Sequence, residues 1–397
     1  VRTGEDAPAG LSTGLRAFRE EVPLLGSTVY LANCSQGPLS RPVEAALAAF
    51  TDSWATLGMH WDGWVEEVER ARAAFASLIG ARPDDVAVGT SESQLASSVV
   101  SALVSAPGER RRRIVTSTLE FPGIGQAWEA ATRYGWRVDR VERDATEPLA
   151  ADDLVALVDD ATTLVSFPHV VYANGSLVDA AAVAAAARDA GALSYCDAYQ
   201  SLGTIPVDAE ALGVDLLAGG VLKYLMGTAG IAFLYVSPRV RDRLEPTVTG
   251  WFGRVDPYAF DPTTLDYPDR ASRFDLGTPP IVNAYAARAG IELVAGVGVG
   301  AIHRRIAHLS RLAFETCGEL GLRVLGPGSP EAKGATTAVD AGSAAAARDA
   351  EVRLRERRVV TSARGRAVRV AHHGFTTDDE LVHALHELAA ILGGGPR

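Results

Sequence analysis

The chain has 397 residues, 47% hydrophobic and 22% charged, which is enough apolar material for a large core and enough length for two or three domain-sized units. Its 49 acidic and 38 basic side chains leave a formal charge of −11, which argues against a nucleic-acid surface, and the short basic cluster at 109–113 reads as a solvated loop. Three cysteines with no CxxC spacing, a polar N-terminus and no long uncharged apolar run point to a reducing cytoplasm. They give no sign of a disulfide framework, a metal site or a membrane span.

Both ends of the chain, the first ten residues and the last five, read as frayed. Between them, short apolar runs alternate with longer Ala-rich amphipathic ones, the pattern of an α/β sheet layered by helices. A helix is expected over about Asp62 to Ile79, with Val65, Val68, Phe75, Leu78 and Ile79 on one side, followed by a strand at Val86 to Val88. An apolar helix from Leu95 comes next. Further strands are expected at Arg113 to Thr116, Leu164 to Phe167, Leu193 to Cys196, Leu216 to Ala218 and Ile231 to Val236, with helices at Ile124 to Tyr134 and Asp179 to Ala190. From about Ala284 the pattern becomes a long Ala/Gly-containing helix, strands near Leu322 to Leu325 and Ala335 to Val339, and a helix from Ser343 to Arg357. A strand pair within Val359 to Ala371 and a helix from Thr377 to Leu392 close the chain. The expected division is an N-terminal segment, 1–43, packing with a small α+β domain, 284–397, beside a large domain, 44–283, with a mostly parallel sheet of crossover units.

Asp197 ends the apolar run Leu193 to Cys196, and Lys223 follows 26 positions later, between Leu-Leu-Ala-Gly-Gly and a Gly-rich stretch. In a parallel sheet both fall at carboxyl ends of strands, where ligands gather. An acid there can keep a pyridinium nitrogen protonated, and an amine one unit later can form a Schiff base, so the pair points to pyridoxal 5'-phosphate. Gln200 can bond the ring hydroxyl. Gly89 to Ser93 (GTSES), between a strand and a helix, offers Thr90, Ser91 and Ser93 to a phosphate, and Phe121, just past a strand, offers a flat face to the ring. Each residue also has an ordinary reading: Asp197 as a turn cap, Lys223 as a surface lysine, Thr90 and Ser91 as a capping box and Phe121 as core.

These segments resemble the class V aminotransferase family of fold type I pyridoxal phosphate enzymes, which includes cysteine desulfurases, kynureninases, isopenicillin epimerases and cysteine C–S lyases. The likeness runs from YLANCSQGPL at Tyr30 to RVAHHGFTTDDEL ending at Leu381, and rests most on DAYQSLG and GVLKYLMGTAG. It implies that Lys223 carries the cofactor, Asp197 pairs with its pyridine nitrogen and Gln200 meets its ring hydroxyl, while Thr90 and Ser91 cradle its phosphate. Phe121 resembles the stacking phenylalanine of kynureninases, where desulfurases carry histidine. GWFG and FDLGTPP resemble segments through which Trp251 and Thr278 would reach the neighbouring subunit's phosphate, implying a homodimer. Arg369 matches the arginine that grips the substrate α-carboxylate as a fork. Asn33, His169 and Tyr172 are the further substrate candidates. His60, Trp61 and Trp64 are read as aromatic core or as lining of the cleft from a partner.

The chain departs from the family at Leu222 and Gly220, where relatives usually carry histidine and often serine, so part of the phosphate cup must come from elsewhere. No cysteine lies in Val359 to Arg369, where desulfurases hold their persulfide-forming thiol, and Cys34 reads as inert or as pocket-lining. The expected activity is α,β-elimination from a cysteine-derived amino acid. The alternatives are transamination, decarboxylation-coupled deamination or epimerisation, or a non-enzymatic subunit that keeps the cofactor scaffold.

Overall fold

A computed structural model describes residues 11–106 and 111–393. The expected frayed ends, apart from Gly393, and the Glu109–Arg110 part of the basic cluster lie outside these residues. The strands are β1 Val29–Tyr30, β2 Val86–Gly89, β3 Arg113–Ser117, β4 Arg137–Val141, β5 Thr162–Pro168, β6 Leu193–Asp197, β7 Leu216–Gly220 and β8 Ala232–Val236. They continue with β9 Thr336–Asp340, β10 Val359–Val360, β11 Ser362–Arg364 and β12 Ala367–Ala371.

Seven strands form the central sheet in the order β2-β8-β7-β6-β5-β3-β4, with β8 antiparallel to both its neighbours and the remaining pairs parallel. Its strands, apart from the edge strand β4, are buried on both faces, as a helix-covered sheet requires. Alternate residues divide between two cores: Val86, Val88, Val115, Phe167 and Leu217 fall in one, and Ala87, Ile114, Leu164, Leu216 and Leu234 in the other. The architecture is the expected α/β one, a mostly parallel sheet layered by helices.

β4 was not anticipated. It is an edge strand of alternating charge, Arg-Val-Asp-Arg-Val, whose Asp139 pairs with Arg113 and Arg137 at 2.6 Å each. Arg113, assigned above to a solvated cluster as well as to a strand, is therefore a strand residue paired with Asp139 and Asp159. The other edge, β2, is covered by the segment Ala271–Phe274, and Asp275 accepts the Val88 N–H (2.8 Å) while pairing with the buried Arg72 (2.8 Å).

The expected long helix near Ala284 is two helices, Ile281–Val297 and Val299–Glu319, meeting at 74°. The break falls at Gly298, whose φ of 89° leaves the helical region, a conformation glycine adopts without Cβ strain. No single helix among the described residues is long and apolar enough to cross a membrane. The strand expected at Leu322 to Leu325 reduces to a bridge between Val324 and Val339 and one Leu325 N–H to Ala338 carbonyl bond. The strand pair within Val359 to Ala371 is three short strands: β10 lies parallel to β1, and β11 and β12 form a hairpin joined to β9. Ala32 bridges Ala371, and Arg19 pairs with Glu380 at 2.6 Å, so the N-terminal segment is fastened to this C-terminal layer. The helix Arg41–Leu57, also not anticipated, crosses the Val43 boundary.

In that layer Lys333 is buried with no acid beside it: its Nζ donates to Ser310 Oγ (2.8 Å), which also meets His372 Nε2 (3.3 Å). Burial pulls the Lys333 amine down to about 7, while an unfolded chain holds its proton to near 10.5. Between those values the unfolded state binds more protons than the folded one, so stability rises with pH across that window. Lys333→Met is expected to stabilise the fold by about 1–3 kcal/mol below pH 7, the gain shrinking towards pH 10. Urea titrations of both proteins at pH 6 and pH 9.5 measure this. An equal difference at the two pH values would refute the assignment.

Candidate active site

Five strands deliver residues to one edge of the sheet. β2 ends at Thr90 and Ser91, β3 leads to Glu120 and Phe121, β5 to His169 and Tyr172, β6 to Asp197, and β7 to Lys223. Parallel pairing puts these carboxyl ends side by side, which gathers side chains from positions 90 to 223.

Lys223 is half-buried, its Nζ 4.3 Å from the centroid of the Tyr199 ring and 5.5 Å from that of Phe121. Desolvation lowers its affinity for a proton, with Asp197 and Glu92 opposing the shift. The segment after β1 closes over it: Gly37 N–H donates to the Leu222 carbonyl (2.8 Å), and a Cβ on Gly37 would strike the Lys223 carbonyl. Gly37 is required by that close approach.

Asp197 is buried, and its Oδ1 accepts the Tyr199 N–H (2.9 Å), so it does cap a turn while also facing the lysine. Burial pushes its carboxyl up, while Lys223, the Tyr199 N–H and a bond with Glu92 pull it down. Glu92 and Glu120 are buried beside it, and burial followed by the Asp197 charge raises both, Glu120 to about 8. Glu120 is held by the Ser166 hydroxyl (2.8 Å) and the Phe121 N–H (3.1 Å), whereas Glu92 Oε1 has no partner. Three buried carboxyl groups cannot all be ionised together, so the cluster retains protons at neutral pH.

Gln200 donates Nε2 to the Cys34 carbonyl (3.0 Å), which leaves its second N–H free and its Oε1 buried without a partner. Thr90 and Ser91 are exposed at the start of the helix Glu92–Ser105. Ser91 Oγ caps it by accepting the Gln94 N–H (3.2 Å), and the Thr90 N–H donates to Gln94 Oε1 (3.1 Å). The ordinary capping reading therefore holds here, on a helix start that is open to an anion. The helix begins at Glu92, three residues before the expected Leu95.

Arg369 is fully buried on the central strand of the β11-β12-β9 sheet. Its guanidinium donates to the Tyr172 carbonyl (2.8 Å), Ser35 Oγ (2.8 Å), Ser362 Oγ (2.7 Å) and the Ser362 carbonyl (3.4 Å). All four partners are neutral, so this buried cation lacks a counter-charge that a carboxylate ligand would supply. Tyr172 joins the two halves of the site, its ring 5.3 Å from Phe121 at 86° and its carbonyl on Arg369. Asn33 Nδ2 ties the N-terminal segment to the Ala371 carbonyl (2.8 Å), and its Oδ1 is buried without a partner.

Other expected residues lie apart from Lys223. His169 is turned onto Ser201 Oγ (2.9 Å), and burial depresses its ring to about 4, so it is a neutral core residue that touches Asp197 only through its backbone. Trp251 lies 6.1 Å from Trp61, stacked, and 4.4 Å from Phe252, while Thr278 is exposed. Trp64 is core, its Nε1 on Ser53 Oγ (2.9 Å). Glu92, Glu120, Tyr199, Ser35 and Ser362 escaped the sequence reading. Glu92 lies within GTSES and Glu120 beside Phe121, but an acid in a helix's first turn or after a strand reads as solvated until burial is known.

The residues at this edge suit pyridoxal phosphate in their donor set: an amine whose charge is disfavoured, a buried acid, a ring face and a helix start. The aminotransferase class-V family model matches residues 29–381. The chain belongs to that family. It is therefore an enzyme of a class that uses pyridoxal 5'-phosphate. An uncharacterized aminotransferase of Bacillus subtilis (strain 168), YcbU, is 34% identical over 94% of this chain and 97% of its own length. The kynureninase of Pseudomonas fluorescens is 30% identical over 76% of this chain and 73% of its own. Among solved structures, the apo cysteine desulfurase of Thermococcus onnurineus NA1 superposes with a TM-score of 0.83 at 23% identity, covering 98% of this chain and 100% of that one. The cystine C–S lyase C-DES, in complex with cysteine persulfide, gives 0.81 at 21%, covering 92% and 98%. At these identities the two structures speak for the fold.

Proposed function

We propose that this enzyme eliminates the β-sulfur substituent of a cysteine-derived amino acid, yielding a thiol, ammonia and pyruvate with uptake of one water. The observation that carries an amino-acid substrate is the pairing of Lys223, whose charge burial disfavours, with Arg369, a buried cation that has only neutral partners. Bound pyridoxal phosphate supplies the electron sink that makes the α-proton removable. Arg369 meets the α-carboxylate with its charge and with the one N–H that its four bonds leave over, and Lys223 takes the α-proton in its neutral form. Asp197, ionised while Glu92 keeps its proton, holds the pyridine nitrogen, and Gln200 donates its second N–H to the ring oxygen. Thr90 and Ser91 take the phosphate, Phe121 covers the ring, and Asn33 and Tyr172 shape the substrate's end.

Elimination needs no second nucleophile, and the stretch 359–369 contains no thiol to receive sulfur. The half-buried Trp61 and Trp251 and the exposed Tyr258 and Phe260 line a cleft of ≈ 540 Å³, a surface suited to a second copy of the chain, with Trp251 and Thr278 serving that copy's site. A homodimer in the cytoplasm is the state we propose.

Incubation with a panel of cysteine S-conjugates tests the reaction. Pyruvate and ammonia released in equal amounts support elimination, and their absence across the panel sinks it. The likeness to a protein named an aminotransferase favours transamination as the second reading. Amino-acid-dependent conversion of the cofactor to its aminated form, with a 2-oxo acid but no ammonia, would establish that instead.

A further inference from the structure

Position 220, three residues before Lys223, is glycine, and Tyr199 fills its space. A Cβ built on Gly220 would lie 2.5 Å from Tyr199 Cζ and closer still to the hydroxyl. The Tyr199 ring passes under Lys223 Nζ at 4.3 Å, and its hydroxyl oxygen sits against the Leu222 backbone N–H. A phenol both accepts and donates, so its proton can be offered to an incoming oxygen. Burial above all holds the phenol protonated, so it stays a donor across the working pH range.

We propose that Tyr199 grips the phosphate end of the cofactor, its hydroxyl taking the place of the side chain that Gly220 lacks. A phenol on the loop after β6 reaches across to the loop after β7, and the two positions form one unit: a large residue at 199 requires glycine at 220. The ring adds a second aromatic face near Lys223 besides Phe121. This assignment rests on the cofactor, which the family establishes, and not on the proposed elimination, so loss of either leaves the other standing.

Cofactor-free parent, Tyr199→Phe, Tyr199→Ala, Gly220→Ser and the double variant Tyr199→Ala/Gly220→Ser would each be titrated with pyridoxal 5'-phosphate and with unphosphorylated pyridoxal. Binding is followed by visible absorbance, and thermal unfolding of each cofactor-free form reports folding. Tyr199→Phe keeps the ring and is expected to weaken pyridoxal phosphate about ten- to hundred-fold, the size of one charge-assisted hydrogen bond, while pyridoxal binding is unchanged. Gly220→Ser alone is expected to bind poorly, and the double variant to bind the phosphate form more tightly than Tyr199→Ala. Equal losses for both ligands in Tyr199→Phe, no loss at all, or no recovery in the double variant would overturn the assignment.

Discussion

Lys223→Ala is expected to lower turnover by about four orders of magnitude or more, because it removes both the amine that carries the cofactor and the base that takes the α-proton. The protein should still fold, since the Nζ makes cation–π contacts with Tyr199 and Phe121 and anchors no strand. Borohydride treatment followed by mass measurement separates the two roles: the parent should retain the cofactor covalently, and the variant should release it on denaturation. A variant within tenfold of the parent, or one that still retains covalent cofactor, would remove Lys223 from the site. Desolvation has already lowered the amine's proton affinity, so the parent's activity should persist below the pH at which a free lysine would be mostly charged.

Arg369→Ala is expected to reduce kcat/KM by about 10²–10⁴, in line with the 2–5 kcal/mol lost when one member of a buried charge pair is removed. Arg369→Lys should recover little of this, since an ammonium has three donors where the guanidinium spreads five over Tyr172, Ser35, Ser362 and a ligand. The loss should be confined to substrates with an α-carboxylate, and the matching amine without one should react with parent and variant alike. Equal losses for both substrates would mean that Arg369 acts only by holding Ser35, Ser362 and the Tyr172 carbonyl in place. Folding stability is a useful control. Removing a buried cation without a counter-charge relieves a desolvation cost while leaving two hydroxyls and two carbonyls short of a donor, so the net change should be small.

Much of the central sheet was legible because buried parallel strands are short apolar runs, and β3, β5, β6 and β7 stand in the sequence as such. β4 was not, because an edge strand exposes one side and can carry charges that read as loop. The strand expected at Leu322 to Leu325 was misjudged for another reason: whether an extended run becomes a strand or a single bridge depends on its neighbour, here β9. In the site, Asp197 and Lys223 were readable from spacing and from the strands before them. Arg369 was readable as a candidate, but its lack of an acidic partner was not.

The sequence by itself determined where most strands and helices of the large sheet fall, that the acid and the lysine lie at strand ends, and that Leu222 and Gly220 leave the family pattern. Periodicity and turn chemistry act over a few residues, so these features are written locally. Only the tertiary structure decided that Glu92 and Glu120 are buried beside Asp197, that the segment 33–37 closes over Lys223 and that Tyr199 occupies the space at Gly220. Those facts depend on which strand ends meet and what they exclude from water. A carboxyl group's charge and a glycine's purpose are set by neighbours far away in the chain.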